Sequence, residues 1–242
     1  FSDLAQRYGF KIIEDASHAI GGEWNKSKIG NCAFSNITVF SFHPVKIITT
    51  AEGGMLTTNC QITASKLISL RSHGVTRDVE DLVNTQEGGW YYEQQDLGYN
   101  YRLTDLQAAL GISQMEKLDN FVLNRHKIAA KYDKHLKNYP LTLPWQHKKS
   151  YSAYHLYPIQ LQETSKINRR QFFEKLRSAG IMVNVHYIPI HTQPYYSNLG
   201  FKLGDYPRSE AYYGRALSLP IHAGLTNIQQ EYIIDTIGRI LT

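Results

Sequence analysis

An apolar, β-branched run, Asn36-Ile37-Thr38-Val39-Phe40, ends at Ser41-Phe42-His43-Pro44-Val45-Lys46, and this junction constrains the fold more than any other stretch. A run of that length and composition reads as a buried strand. Pro44 has no N–H to give to a ladder, so the strand stops before it and the backbone leaves the sheet. Lys46 therefore lies just past a strand end, ahead of the polar turn Ile47 to Gly54. Upstream, Phe10-Lys11-Ile12-Ile13 runs into Glu14-Asp15 and then into the small residues of Ala16 to Gly22, a second strand end. In open α/β sheets, ligands gather at the carboxyl ends of the strands.

The residues at these two ends suggest a chemistry. A lysine held against apolar neighbours has a lowered pKa and a nucleophilic amine that condenses with an aldehyde. Pyridoxal phosphate chemistry needs such a lysine and also a carboxylate at the pyridine nitrogen, because only the protonated ring withdraws electrons strongly. Lys46 and Asp15 are the candidate pair. Each has a plainer reading: a solvated surface charge for Lys46, a helix cap or loop acid for Asp15. Other chemistries fit less well. The ten histidines, His18, His43, His186 and His191 among them, lack zinc-like spacing with cysteines or acids, so no metal is expected. Ser41 and His43 are not set in a nucleophile elbow, which disfavours hydrolysis.

With 242 residues, 42% hydrophobic and 19% charged, the chain is long enough for about two globular domains. It has no apolar run of bilayer length and no signal-like start, and its only cysteines, Cys32 and Cys60, do not form a close pair. A cytoplasmic protein with no membrane partner is expected, with both thiols buried. The net charge of +5 would suit an anionic ligand such as a phosphorylated cofactor, or equally weak nucleic-acid contact. The charges are dispersed rather than clustered, so nucleic acid is not an expected partner.

Helix signals cover Phe1 to Tyr8, stopped by Gly9, and Ile62 to Ser72, stopped by Gly74, with a strand at Met55 to Thr58 between them. Val75 to Gly98, with Trp90-Tyr91-Tyr92, reads as a loop that covers an active site or a partner subunit, or simply packs. Thr104 and Gln107 form a capping box, and the apolar spacing through Leu106, Leu110, Leu118, Val122, Ala129, Tyr132 and Leu136 predicts one long helix. Beyond a loop at Pro140 to Ser150, strands are predicted at Ala153 to Ile159 and Ile181 to Ile188. A helix at Asn168 to Ala179, closed by Gly180, separates them, and a terminal helix capped by Thr226 and Gln229 follows. Strand, helix, strand, helix makes a compact α/β layer.

Three strings in order, EDASHAIGG (14–22), SFHPVK with TTAEGG (41–54) and GYNYRLTDLQAALG (98–111), resemble the sugar aminotransferases of the DegT/DnrJ/EryC1/StrS family. SAYHLYPI (152–159) and VNVHYIPIHTQPYY (183–196) carry the resemblance into the C-terminal half. The resemblance implies an α/β fold, that of PLP-dependent transferases of fold type I. An incomplete large, cofactor-binding domain would span residues 1–125 and a smaller C-terminal α/β domain residues 126–242, joined by the long helix near Arg125. The family's N-terminal third, with a Gly-Thr phosphate-binding turn and an aromatic that stacks on the cofactor, would lie ahead of Phe1.

By the same resemblance Lys46 is the catalytic lysine and carries pyridoxal 5'-phosphate. Asp15 faces the ring nitrogen, His18 lies against the ring, and Ser41 holds the phosphate. Asn100 reaches the phosphate of a neighbouring subunit, implying a homodimer with shared active sites. Arg102, His186, Tyr187 and His191 are implied as substrate contacts. The implied reaction moves an amino group from glutamate to the 4-keto carbon of a UDP-linked 4-keto-6-deoxy-N-acetylhexosamine, as in pseudaminic acid synthesis. Another nucleotide-4-ketosugar, or a non-catalytic fragment that binds no cofactor, are the alternatives.

Overall fold

The computed structural model describes residues 1–242, which divide into two compact units, Phe1–Leu118 and Asp119–Thr242. Arg125, where the sequence reading puts the domain boundary, lies inside helix α4 (Leu118–Leu136), which begins at the division between the units.

The first unit opens with helix α1 (Ser2–Tyr8), ended by Gly9 in the left-handed conformation at φ 73°. Strands β1 (Ile13–Asp15), β4 (Ile37–Ser41) and β5 (Gly54–Thr57) form its sheet in the order β1-β4-β5, with β1 parallel and β5 antiparallel to β4. Between them a small hairpin pairs β2 (Glu23–Trp24) with β3 (Ser27–Lys28). Along β4 the side chains alternate, so Thr38 and Phe40 are buried while Ile37, Val39 and Ser41 are only half-buried. Helix α2 (Gln61–Arg71) follows. Residues 75–98 are not a free loop: β6 (Val75–Thr76) pairs with β7 (Glu93–Gln94), and a 3-10 turn spans Val79–Asp81. Glu93 closes this arm by accepting from the Val83 and Asn84 amides at 2.8 and 2.7 Å.

The single long helix expected from Thr104 to Leu136 is two helices. Helix α3 (Asp105–Met115) starts at the expected capping box, but it ends before α4 begins. At the junction the Lys117 amide bonds to Gln114 O, three residues back, which tightens the last turn and breaks the α-helical run. Apolar periodicity continued through the break because both helices carry apolar stripes. Cys32 is buried as expected, but Cys60 is exposed, at the N-terminal cap of α2.

The second unit is built on an antiparallel sheet, β11-β10-β8, formed by β8 (Leu141–Thr142), β10 (Tyr157–Leu161) and β11 (Ala216–Leu219). A two-residue strand, β9 (Ser150–Tyr151), precedes β10. Helices α5 (Arg169–Ser178), α6 (Pro194–Ser197), α7 (Pro207–Arg215) and α8 (Asn227–Leu241) complete it, with capping boxes at Asn168–Gln171 and Thr226–Gln229. Tyr132, Leu136, Tyr157, Ile159, Phe172, Leu176, Val183, Leu217 and Ile237 are buried together in its core. Each such side chain contributes about 1.5–3 kcal/mol by leaving water.

Two expected strands are displaced here. Ala153 to Leu156 is not strand: Tyr154 sits at φ 47°, and Nη1 of the buried Arg125 takes the carbonyls of Tyr154, His155 and Ile221 at 2.9, 3.3 and 2.9 Å. Ile181 to Ile188 is not a strand: it meets the far edge of β11 only at a single bridge, Asn184 to Ser218. The Pro140–Ser150 loop contributes β8 to the sheet. No helix is long and apolar enough to cross a membrane.

Candidate active site

The parallel register sets Asp15 opposite Val39, and the Ala16 amide continues the ladder to Val39 O at 2.8 Å. Alternation then puts Asp15, Val39 and Ser41 on one face, and Glu14, Thr38 and Phe40 on the other. The two neighbouring acids are thereby separated. Glu14 is fixed on its own face, where Oε2 accepts from the hydroxyls of Ser35 and Thr38, both at 2.9 Å. Asp15 stands exposed on the opposite face at the strand end.

Ser17 donates its hydroxyl and its amide to Asp15 Oδ1, at 2.5 and 3.0 Å. These two bonds, with smaller contributions from His18 and Lys46, hold the Asp15 carboxyl below its ordinary range. The Asp15 carboxylate therefore sits in the field of both side chains. Lys46 is half-buried, its amide bonded to His43 O at 2.9 Å, and the buried pair Ile47 and Ile48 anchors the turn behind it. Ser41, at the end of β4, is half-buried and accepts the His43 amide at 3.4 Å. The turn closes on glycine for a steric reason. Gly53 has φ 155°, and a Cβ there would come within 2.3 Å of Thr50 Oγ1; one on Gly54 would come within 2.8 Å of Phe40 O.

Asn100 is exposed in an extended segment fastened to the end of α2. Tyr99 N bonds to Leu70 O at 2.6 Å, His73 N to Tyr99 O at 2.8 Å and Tyr101 N to Arg71 O at 2.9 Å. The rings of Tyr99 and Tyr101 stack at 4.9 Å, so the Asn100 side chain points the other way. The segment lies against α2 so closely that a Cβ on Gly98 would come within 2.2 Å of the Gly74 nitrogen. Arg102, two residues on, is exposed.

In the second unit, His186 Nδ1 lies 2.9 Å from Ser218 Oγ, and burial lowers its pKa. Tyr187 is 58% exposed, its ring edge-on to His186 at 4.7 Å. His191 differs: it is buried, with Nε2 2.7 Å from Glu210 Oε1, which also accepts the amides of Gly204 and Tyr206. Its ring is closed into the unit rather than offered at the surface.

The structure thus groups Asp15, His18, Ser41 and Lys46 at the carboxyl ends of β1 and β4 and sets Asn100 and Arg102 on a segment hydrogen-bonded to the end of α2. Three contributors escaped the sequence reading of the site. Ser17 and Glu210 carry only turn and helix-start chemistry as signals, and the sequence around Gln107 signals only a cap.

The family model for DegT/DnrJ/EryC1/StrS aminotransferases matches residues 1–238. The chain belongs to the DegT/DnrJ/EryC1/StrS aminotransferase family. Among curated proteins it is 39% identical over 242 residues to an uncharacterized protein of Methanocaldococcus jannaschii, covering 99% of the chain and 62% of the relative. It is 38% identical over 244 residues to a UDP-4-amino-4,6-dideoxy-N-acetyl-beta-L-altrosamine transaminase of Campylobacter jejuni, covering 99% and 61%. The chain thus spans 61–62% of the length of these relatives. Helicobacter pylori PseC, an aminotransferase involved in the biosynthesis of pseudoaminic acid, superposes with a TM-score of 0.88 at 32% identity, covering 99% of this chain and 62% of that one. A DegT DnrJ EryC1 StrS aminotransferase from Brucella abortus gives 0.84 at 29% identity, covering 99% and 60%. The fold is accordingly the α/β fold of the PLP-dependent, fold type I aminotransferases.

Proposed function

We propose that the protein is a pyridoxal phosphate-dependent aminotransferase that moves an amino group from glutamate to the 4-keto carbon of a UDP-linked 4-keto-6-deoxy-N-acetylhexosamine. The observation that carries this reading is the face shared by Asp15 and Ser41 at the carboxyl ends of β1 and β4, with the half-buried Lys46 in the turn that follows β4. One amine, one ionised carboxylate, one hydroxyl and one histidine at a strand edge fit a phosphorylated pyridine aldehyde. When bound, that cofactor supplies the carbonyl that accepts the amino group and the conjugated ring that delocalises charge.

Lys46 Nζ would hold the cofactor covalently and, as a free amine, would carry the proton from the donor's α-carbon to the cofactor carbon that takes up the amino group. Asp15 keeps a proton on the ring nitrogen, since its own carboxyl stays ionised. His18 would lie against the ring and Ser41 Oγ would donate to the phosphate. Asn100 reaches the phosphate site of a second copy in a two-fold dimer. Arg102 offers a forked donor to a substrate carboxylate, and His186 and Tyr187 contact the sugar. The buried, paired His191 shapes its segment from behind.

The likeness to named altrosamine transaminases supports the choice of sugar. The test is borohydride reduction of the cofactor-loaded protein followed by peptide mapping, then incubation with glutamate and candidate UDP-ketosugars. Reduced cofactor on Lys46 and a 4-amino product are expected. Cofactor trapped on another lysine, or none trapped, rejects the assignment.

A further inference from the structure

The turn that carries Lys46 is closed at its neck. The Phe42 amide donates to Gly53 O at 2.8 Å, and the Thr50 amide donates to Phe42 O at 3.0 Å. Its far side is hydrogen-bonded to α3 through one side chain, Gln107. As the third residue of that helix, Gln107 uses Oε1 to accept the Thr104 amide at 3.0 Å, which is its half of the capping box. That duty needs only the oxygen. The nitrogen, Nε2, donates to Glu52 O in the Lys46 turn, also at 3.0 Å. The same carbonyl accepts the Thr50 hydroxyl at 2.7 Å. Thr50 is 1% exposed, and a Cβ on Gly111, further along α3, would come within 2.8 Å of its methyl carbon. A continuous chain of bonds therefore runs from Phe42 through Thr50 and Glu52 to Gln107 and Thr104, two residues past Arg102.

We infer that Gln107 is a positioning residue: its amide nitrogen holds the Lys46 turn on α3, and so fixes that turn relative to the segment presenting Asn100 and Arg102. The inference rests on the reading of Lys46 as the cofactor-bearing lysine. Without the Nε2 bond the Glu52 carbonyl loses its tie to the helix, the turn loosens about its neck, and the half-buried Lys46 amine becomes more accessible.

The test is Gln107→Glu, which keeps an oxygen for the cap and removes the donor to Glu52 O. Thr104→Ala is its counterpart, weakening the cap while leaving Nε2 in place. The readout is competitive acylation of lysines in the cofactor-free protein, with the Lys46 rate taken relative to the other lysines, beside thermal unfolding. In Q107E the relative rate at Lys46 is expected to rise by about threefold or more, the scale of one net hydrogen bond lost, with little change in Tm. In Thr104→Ala the Tm should fall while the Lys46 rate stays put. If Q107E does not fold, Gln107→Met removes the same donor without adding charge and is read against Thr104→Ala. An unchanged Lys46 rate in the folded Gln107 variant, whatever its Tm, overturns the inference and leaves Gln107 a cap. Borohydride trapping on unmutated protein separates the two readings: failure to trap cofactor on Lys46 removes the proposed function, whereas the acylation rates still decide what Gln107 does to the turn.

Discussion

Ser17 spends both of its donors on one oxygen of Asp15, the hydroxyl at 2.5 Å and the amide at 3.0 Å. The consequence is a carboxylate oriented and kept ionised by its own turn, before any cofactor is considered. The chief cause of its lowered pKa is the Ser17 hydroxyl, followed by the Ser17 amide, with His18 and Lys46 adding less.

Replacing Ser17 with alanine removes the leading cause and leaves the amide. The Asp15 pKa is expected to rise toward its ordinary value, and the acid limb of the activity profile to move to higher pH with it. Carboxyl-carbon NMR titration of Asp15 in both proteins measures the first shift directly. An Asp15 titration that does not move removes the hydroxyl as its cause.

Lys46→Ala should still bind cofactor non-covalently yet lose turnover by at least about 10²–10⁴-fold, the range for a positioned acid/base group. Mixed with Asn100→Asp under conditions of subunit exchange, it should regain activity, because each mixed dimer keeps one site with both residues intact. Heterodimers verified by mass spectrometry but lacking activity would show that Asn100 does not act across a dimer.

Glu210 accepts from His191, Gly204 and Tyr206, and the His191 bond is the largest cause of its lowered pKa. A carboxylate with a depressed folded pKa contributes stability above its unfolded pKa, and that contribution disappears as pH falls through the folded value. The second unit should therefore lose stability on acidification, and Glu210→Gln should flatten that dependence. Urea midpoints measured from neutral pH down through the carboxylate range check the slope; parallel curves for the two proteins count against the pairing.

Leu176 is fully buried in α5 among Phe172, Tyr157 and Ile159. Leu176→Ala is expected to cost about 2–5 kcal/mol through lost burial and the cavity left behind. Denaturant unfolding followed by a probe in the second unit reports it, and a cost within the surface range of about 0.5 kcal/mol would contradict the packing described.

Local signals determined much of this protein. The strand ending at Ser41, the stop at Gly9, the capping boxes at Thr104, Asn168 and Thr226, and the chemistry of Asp15 and Lys46 are written in contiguous residues, where propensity, turn chemistry and backbone sterics act within a few positions. Tertiary structure decided what depends on partners far along the chain. The apolar run at 181–188 has strand character, yet it meets β11 at the Asn184–Ser218 bridge alone, and how far a ladder extends depends on distant partners that no local window records. Tyr154 turned out of its expected strand because Arg125 took the carbonyls there. Glu14 and Asp15 are adjacent acids in the sequence, and only the parallel register beside β4, with Ser35 and Thr38 bonding Glu14 on the opposite face, made one structural and left the other facing the site. The second use of Gln107 was hidden for the same reason: its amide oxygen acts within three residues, but its nitrogen acts on a carbonyl that only folding brings to the helix.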